Sequence, residues 1–222
     1  RSDVRCVLIA GEGDAFCAGG DISEYPGFRF DAAALRDFHE NDVWGGLNAM
    51  LQCDVPIVAQ IRGACMGAGV EIASCCDIRV AGSGARFGAP IAKLGFPMAP
   101  REAQLVAGAV GDVTARQMLL EAATFSAPDM LARGFLSRVV ADDMVATDAL
   151  GSAQRVAALA PQAARMNKQT FRALKTPSAR DSKEFSAIES IVNGAPDPYG
   201  YANSAEHREG ITAFLDKRPP VF

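Results

Sequence analysis

Residues 4–10 (VRCVLIA) are almost uninterruptedly apolar, and the run ends in a loop, GEGDAFCAGGD, that is rich in glycine and poor in large side chains. The same succession recurs at 55–61 (VPIVAQI), which empties into RGACMGAG at 62–69. Short continuous apolar runs bounded by turn residues predict strands buried on both faces. Between them, 31–51 carries apolar positions at helical spacing, with Asp31 placed as an N-cap and Gly45 and Gly46 weakening the middle. VEIASCC (70–76) predicts a short helix, and DIRVAG (77–82) and ARFGAP (85–90) predict two further short strands.

Beyond about residue 100 the period becomes helical. Helices are expected at 101–110, 114–122, 127–135, 146–160, 161–174, 179–192 and 204–218, with SRVVA (137–141) the one strand among them. Pro128, Gly134 and Pro161 fall where helices should start and stop, and PDPYGY (196–201) reads as a turn-rich linker. Alternation of buried strands with helices predicts α/β layering with parallel strands, followed by a helical region.

With 222 residues, 49% of them hydrophobic, the chain can build a sizeable core. A net charge of −4 and scattered basic residues argue against a nucleic-acid surface. No apolar run reaches the roughly 18 residues that a membrane helix requires. The six cysteines, at 6, 17, 53, 65, 75 and 76, lack CxxC spacing and read as reduced thiols of a cytoplasmic protein. With His39 and His207 the only histidines, no histidine-based metal site is expected. The chain enters a strand almost at once from Arg1, so an N-terminal strand and helix are expected to be missing.

Two side-chain-poor loops after two buried strands can aim backbone N–H groups at one point beyond a sheet edge, which is what an oxyanion hole requires. Glycines that only permit tight turns explain either loop taken singly. A dinucleotide site wants a third glycine that Gly67-Ala68-Gly69 does not supply, and a phosphate loop wants a GK[ST] that is absent. Glu71 lies two residues past Gly69 in an otherwise apolar helix. Burial there raises a carboxylate toward the range useful for acid–base work, although a favourable place against the helix dipole accounts for a glutamate at that position too.

Taken together, VRCVLIAGEGDAFCAGGDISE, PIVAQIRGACMGAGVEIASCCDIRVA, ARFGAPIAKLGF and EGITAFLDKRPPVF resemble, in this order and spacing, segments of the enoyl-CoA hydratase/isomerase (crotonase) superfamily. The resemblance implies a spiral of ββα units over 1–141 and a C-terminal helical trimerisation region over 142–222. It implies homotrimers or hexamers, no cofactor, and a coenzyme A thioester as substrate, as in fatty acid metabolism. The thioester carbonyl would accept hydrogen bonds from the N–H groups of Gly20 and Ala68, with Glu71 as acid/base. The adenine would meet the carbonyl region at Ala18, and Asp21, Ile22, Gly67 and Ile91 would line the substrate site. Phe214 and Lys217 match positions that touch the coenzyme A of a neighbouring subunit, although Lys217 reads equally well as a solvated helix-end lysine.

Departures from the family pattern matter as much. Hydratases of the family use two glutamates, and Ile91 stands where the second would follow the proline of FGAP. Glu102 is a candidate second acid from the next helix, against the alternative of a surface carboxylate near a helix N-terminus. Basic residues that relatives place near the coenzyme A phosphates are absent at Asp14 and Ser23, and GFPMAPRE replaces the usual glycine-rich turn. Enoyl-CoA hydration is the leading expectation. Double-bond isomerisation, which needs one base, comes next, and a catalytically weak CoA-binding scaffold is the reading from another class.

Overall fold

The most buried strand lies inside the larger sheet. In the computed structural model, which describes residues 3–174 and 200–222, Ile57–Ile61 (β2) buries Ile57, Val58, Ala59 and Ile61. It lies between Val7–Ala10 (β1) and Ile78–Gly82 (β4), and Arg138–Val140 (β7) completes a four-stranded sheet in the order β1-β2-β4-β7. The β2–β4 and β4–β7 pairs are parallel, with Val58 opposite Ile78 and Val80 opposite Arg138. β2 begins one residue after Pro56, which has no N–H to give to a ladder but whose carbonyl accepts from Val7 N–H at 2.9 Å.

A second sheet holds Ala64–Met66 (β3), Arg86–Gly88 (β5) and Thr124–Ser126 (β6), in that order. The sequence pattern predicts a bare turn over 62–69 and no strand at 124–126. Both strands are three residues long, too short for a period to register, and they exist because β5 pairs with each, parallel to β3 and antiparallel to β6. β2–β3 leads into helix Ala68–Cys75 (α3), and β4–β5 leads toward Pro100–Val110 (α4) and Asp112–Leu120 (α5), so the ββα succession repeats.

The expected helix over 31–51 is one helical run of three parts: Ala32–Asp37 (α1), a π-helical stretch Phe38–Val43, and Trp44–Gln52 (α2). Asp31 caps it as predicted, accepting from Ala34 N–H at 2.8 Å. Ala127–Ala132 (α6) starts with a reciprocal cap between Ser126 and Asp129. Val145–Ala157 (α7), Pro161–Leu174 (α8) and Ala205–Leu215 (α9) complete the described helices. The helix expected at 179–192, and all of the 196–201 linker before Gly200, lie outside the described residues. No helix among the described residues is long and apolar enough to cross a membrane.

The described chain divides into two compact units. One comprises 8–53 and 57–152 and carries both sheets. Its core gathers Val58, Ile61, Val80, Phe87, Met118 and Phe135, all fully buried, with the Phe87 and Phe135 rings edge to face at 5.9 Å. Arg79 is built into this core. Its guanidinium donates to the carbonyls of Phe135, Ala73 and Cys76 and stacks on the Phe135 ring.

The other unit gathers the described residues of 1–7, 54–56 and 153–222. Here α8 is fixed by its polar face: Asp54 accepts from Gln169 Nε2 at 2.9 Å and Arg172 Nη2 at 2.7 Å, and Lys168 Nζ donates to Val55 O. The six cysteines are free thiols, three of them buried.

Candidate active site

The two glycine-rich loops meet, and the reason is steric. Cys17 joins β3 through a bridge to Cys65, with Met66 N–H donating to Cys17 O at 2.8 Å. A side chain at Gly69 would place its Cβ 2.5 Å from that same Cys17 oxygen, so only hydrogen fits. Gly67 has φ +52°, a conformation that L side chains rarely adopt, and lies against Gly19. Its N–H is engaged by Gly88 O. The next N–H, that of Ala68, opens α3 and has no acceptor among the described residues; nor has the N–H of Gly20.

Both amides border a cavity of about 310 Å³ within the sheet-bearing unit. Of the residues singled out in the sequence, Ala18, Gly20, Ile22, Gly67, Ala68, Glu71, Ile91 and Glu102 line it. Asp21 does not: its carboxylate caps the 3-10 turn Ile22–Gly27, accepting from Ser23 N–H at 2.9 Å and from Ser23 Oγ at 2.6 Å. Phe214 and Lys217 belong to the other unit, both exposed, Lys217 with φ +53° just past the end of α9.

Glu71 is buried in the first turn of α3, a helix that also buries its Val70, Ala73 and Cys75. Its carboxylate accepts no hydrogen bond from the described residues. Burial pushes its pKa up to about 7, with the negative charge of Glu102 adding to the shift. Glu102 is no surface carboxylate. It is 3% exposed in the first turn of α4, which packs against α3, and its Oε1 lies 2.9 Å from His39 Nδ1. Thus the cavity holds two neighbouring carboxylates although Ile91 occupies the position of the family's usual second glutamate.

His39, Tyr25 and Arg29 also line the cavity, and sequence reasoning missed all three. His39 arrives through the π-helical stretch, from which Phe38 and Val43 also reach the cavity. A π turn widens the helix locally and is often found at functional sites, but no residue pattern in FHENDV announces one. Tyr25 places its hydroxyl beside Gly20, where an added Cβ would meet it at 2.6 Å.

With this arrangement in view, the chain belongs to the enoyl-CoA hydratase/isomerase family, whose model matches residues 1–222. It is 30% identical over 220 residues to a probable enoyl-CoA hydratase of Mycobacterium bovis, a match covering 99% of this chain and 80% of that one. It is equally 30% identical over 226 residues to the 2,3-dehydroadipyl-CoA hydratase of Escherichia coli, covering 100% of this chain and 82% of that protein. Among solved structures, an enoyl-CoA hydratase/carnithine racemase from Magnetospirillum magneticum matches with a TM-score of 0.87 at 31% identity, over 99% of this chain and 78% of that one. The fold is crotonase-like, as the sequence segments imply.

Proposed function

We propose that the protein hydrates a 2-enoyl-CoA thioester, with the carbonyl oxygen bound by the N–H groups of Gly20 and Ala68. The observation that carries this reading is the meeting, in one cavity, of two unengaged backbone donors with the buried pair Glu71 and Glu102. The names of the relatives support the same chemistry. Water adds its oxygen to C3, the C2=C3 electron pair moves toward the thioester, and negative charge gathers on the carbonyl oxygen. Two preorganised donors stabilise that charge, and losing one such donor costs about 3 kcal/mol of barrier. The water's proton goes to a carboxylate and C2 receives one in return, so the enolate collapses to the 3-hydroxyacyl thioester. A group titrating near 7 populates both forms at neutral pH and can do both halves of this exchange. His39 holds Glu102 in place through its 2.9 Å contact.

Ile91 favours a second reading, double-bond isomerisation, in which one carboxylate moves a proton along an allylic system. Incubation with crotonyl-CoA and with 3-hexenoyl-CoA separates the two. Loss of enone absorbance from crotonyl-CoA, abolished in Glu71→Gln, is expected. Appearance of enone absorbance from 3-hexenoyl-CoA alone would replace hydration by isomerisation. Coenzyme A binding without either reaction would favour a scaffold, against which stands the energetic cost of keeping Glu71 buried. The homotrimeric or hexameric assembly, cytoplasmic location and coenzyme A contacts of Ala18, Phe214 and Lys217 belong to the same proposal.

A further inference from the structure

One cation of the cavity has no counter-charge among the described residues. The guanidinium of Arg29 lies in the corner of two rings set edge to face, its Cζ 3.7 Å from the centroid of Phe96 and 4.4 Å from that of Tyr25. Its Nε is buried with no hydrogen-bond partner, and no carboxylate among the described residues pairs with it. Neither cavity glutamate serves. Glu102 is engaged by His39, and no hydrogen bond or ion pair joins Glu71 to Arg29 among the described residues.

An arginine is a cation that presents five N–H donors in a planar fork, and two rings set edge to face beside it leave part of that fork for an anion. Leaving a buried donor unmatched is costly. Much of the remaining lining is apolar, with Ile22, Phe38, Val43, Ile91 and Leu94, so a plain hydrocarbon acyl chain would leave this edge unsatisfied. Tyr25 sets the cation one side chain away from the carbonyl-binding end, because its ring carries Arg29 while its hydroxyl abuts Gly20.

We propose that Arg29 reads a negatively charged group on the acyl part of the substrate, so that the preferred thioesters carry a carboxylate at the far end of the acyl chain. The inference rests on the cavity being an acyl-CoA site, and it adds the substrate class. The anion has a second possible source in the phosphates of coenzyme A itself, and the test separates the two.

The full chain is assayed with six-carbon 2-enoyl-CoA thioesters ending in methyl or in carboxylate, and titrated calorimetrically with their saturated, unreactive counterparts and with free coenzyme A. Wild type is expected to favour the carboxylate-ended member of each pair. Arg29→Met should lower kcat/KM and affinity for that member by about ten- to a hundredfold, the worth of hydrogen bonds to a charged group. It should raise both for the methyl-ended member, a crossover that a merely structural arginine would not give; Arg29→Lys should keep part of the preference. Equal losses for both members and for free coenzyme A would assign Arg29 to the phosphates and overturn the proposal, as would wild type without preference in binding. Preferential binding of the carboxylate-ended saturated thioester with no turnover of either enoyl ester would keep Arg29 in this role and overturn the hydration reading instead.

Discussion

His39 Nδ1 and Glu102 Oε1 lie 2.9 Å apart, joining the π-helical stretch of one helical run to the first turn of α4. Removing the imidazole would leave a buried carboxylate without that contact, at a cost of about 1–3 kcal/mol. His39→Leu is therefore expected to lower stability and to reduce kcat about tenfold or more, with a smaller change in KM. His39→Gln, which retains a donor, should recover part of both. Steady-state kinetics beside denaturant unfolding check this; equal behaviour of the two variants would remove His39 from the positioning of Glu102.

Glu71 predicts how stability depends on pH. Its carboxyl titrates near 4.5 when solvated and at about 7 in the fold. Between those values the native state binds more protons than the unfolded chain, so stability falls as pH rises through the window and levels off above it. The loss is at most about 3 kcal/mol. Urea unfolding at pH 5 and pH 8 is expected to show this slope in wild type and to lose most of it in Glu71→Gln. A slope unaltered by the substitution would place its origin elsewhere.

The activity profile follows from the same pair. The charge of Glu102 contributes to raising Glu71, so Glu102→Gln should move the Glu71 limb of the kcat/KM–pH profile to lower pH, besides reducing its height. A limb that stays near 7 in Glu102→Gln would mean that burial alone sets it.

Two glycines two residues apart should respond differently to alanine. At Gly69 the new Cβ meets the Cys17 carbonyl at 2.5 Å, a backbone atom that can move only if the two loops separate. At Gly67 the nearest neighbour is an ordinary 3.7 Å contact, and the penalty is the backbone itself, φ +52° with ψ −116°, a sparsely populated region that costs about 1–3 kcal/mol. Gly69→Ala is expected to cost more than Gly67→Ala in thermal unfolding. Gly20→Ala meets only the Tyr25 hydroxyl, so adding Tyr25→Phe should recover part of its loss, a coupling that a double-mutant cycle measures.

Arg79 offers a stability test away from the cavity. Arg79→Met would take the guanidinium donors from three carbonyls, of which Ala73 O keeps the Cys76 N–H at 3.2 Å. A loss of about 3 kcal/mol or more is expected, with kcat of the folded fraction within a few-fold of wild type. Chemical unfolding combined with active-site titration distinguishes this from a catalytic defect.

The elements with a long apolar run or a full helical period were legible without coordinates. β2 and β4 fall inside their predicted spans, and the Asp31 cap is where its side chain should place it, because burial and local hydrogen bonding are written in neighbouring residues. β3 and β6 were not, because three residues carry no period and their pairing is supplied by β5. The π-helical stretch was also illegible, since its residues suit an ordinary helix.

By itself the sequence determined two glycine-rich turns after buried strands, an acid in a buried helix, and the family to which such a set belongs. Neighbouring residues suffice for that: apolar runs that break into clustered glycines, a glutamate inside an apolar helix, and the order and spacing of those segments. Only the tertiary structure decided that Glu102, thirty-one residues along the chain from Glu71, shares its cavity, that His39 reaches it, and that Arg29 lies against two rings with no counter-charge among the described residues. Those relationships depend on which helix packs on which loop, and the free energy that selects one packing is spread over the whole core rather than written at any of the residues it brings together.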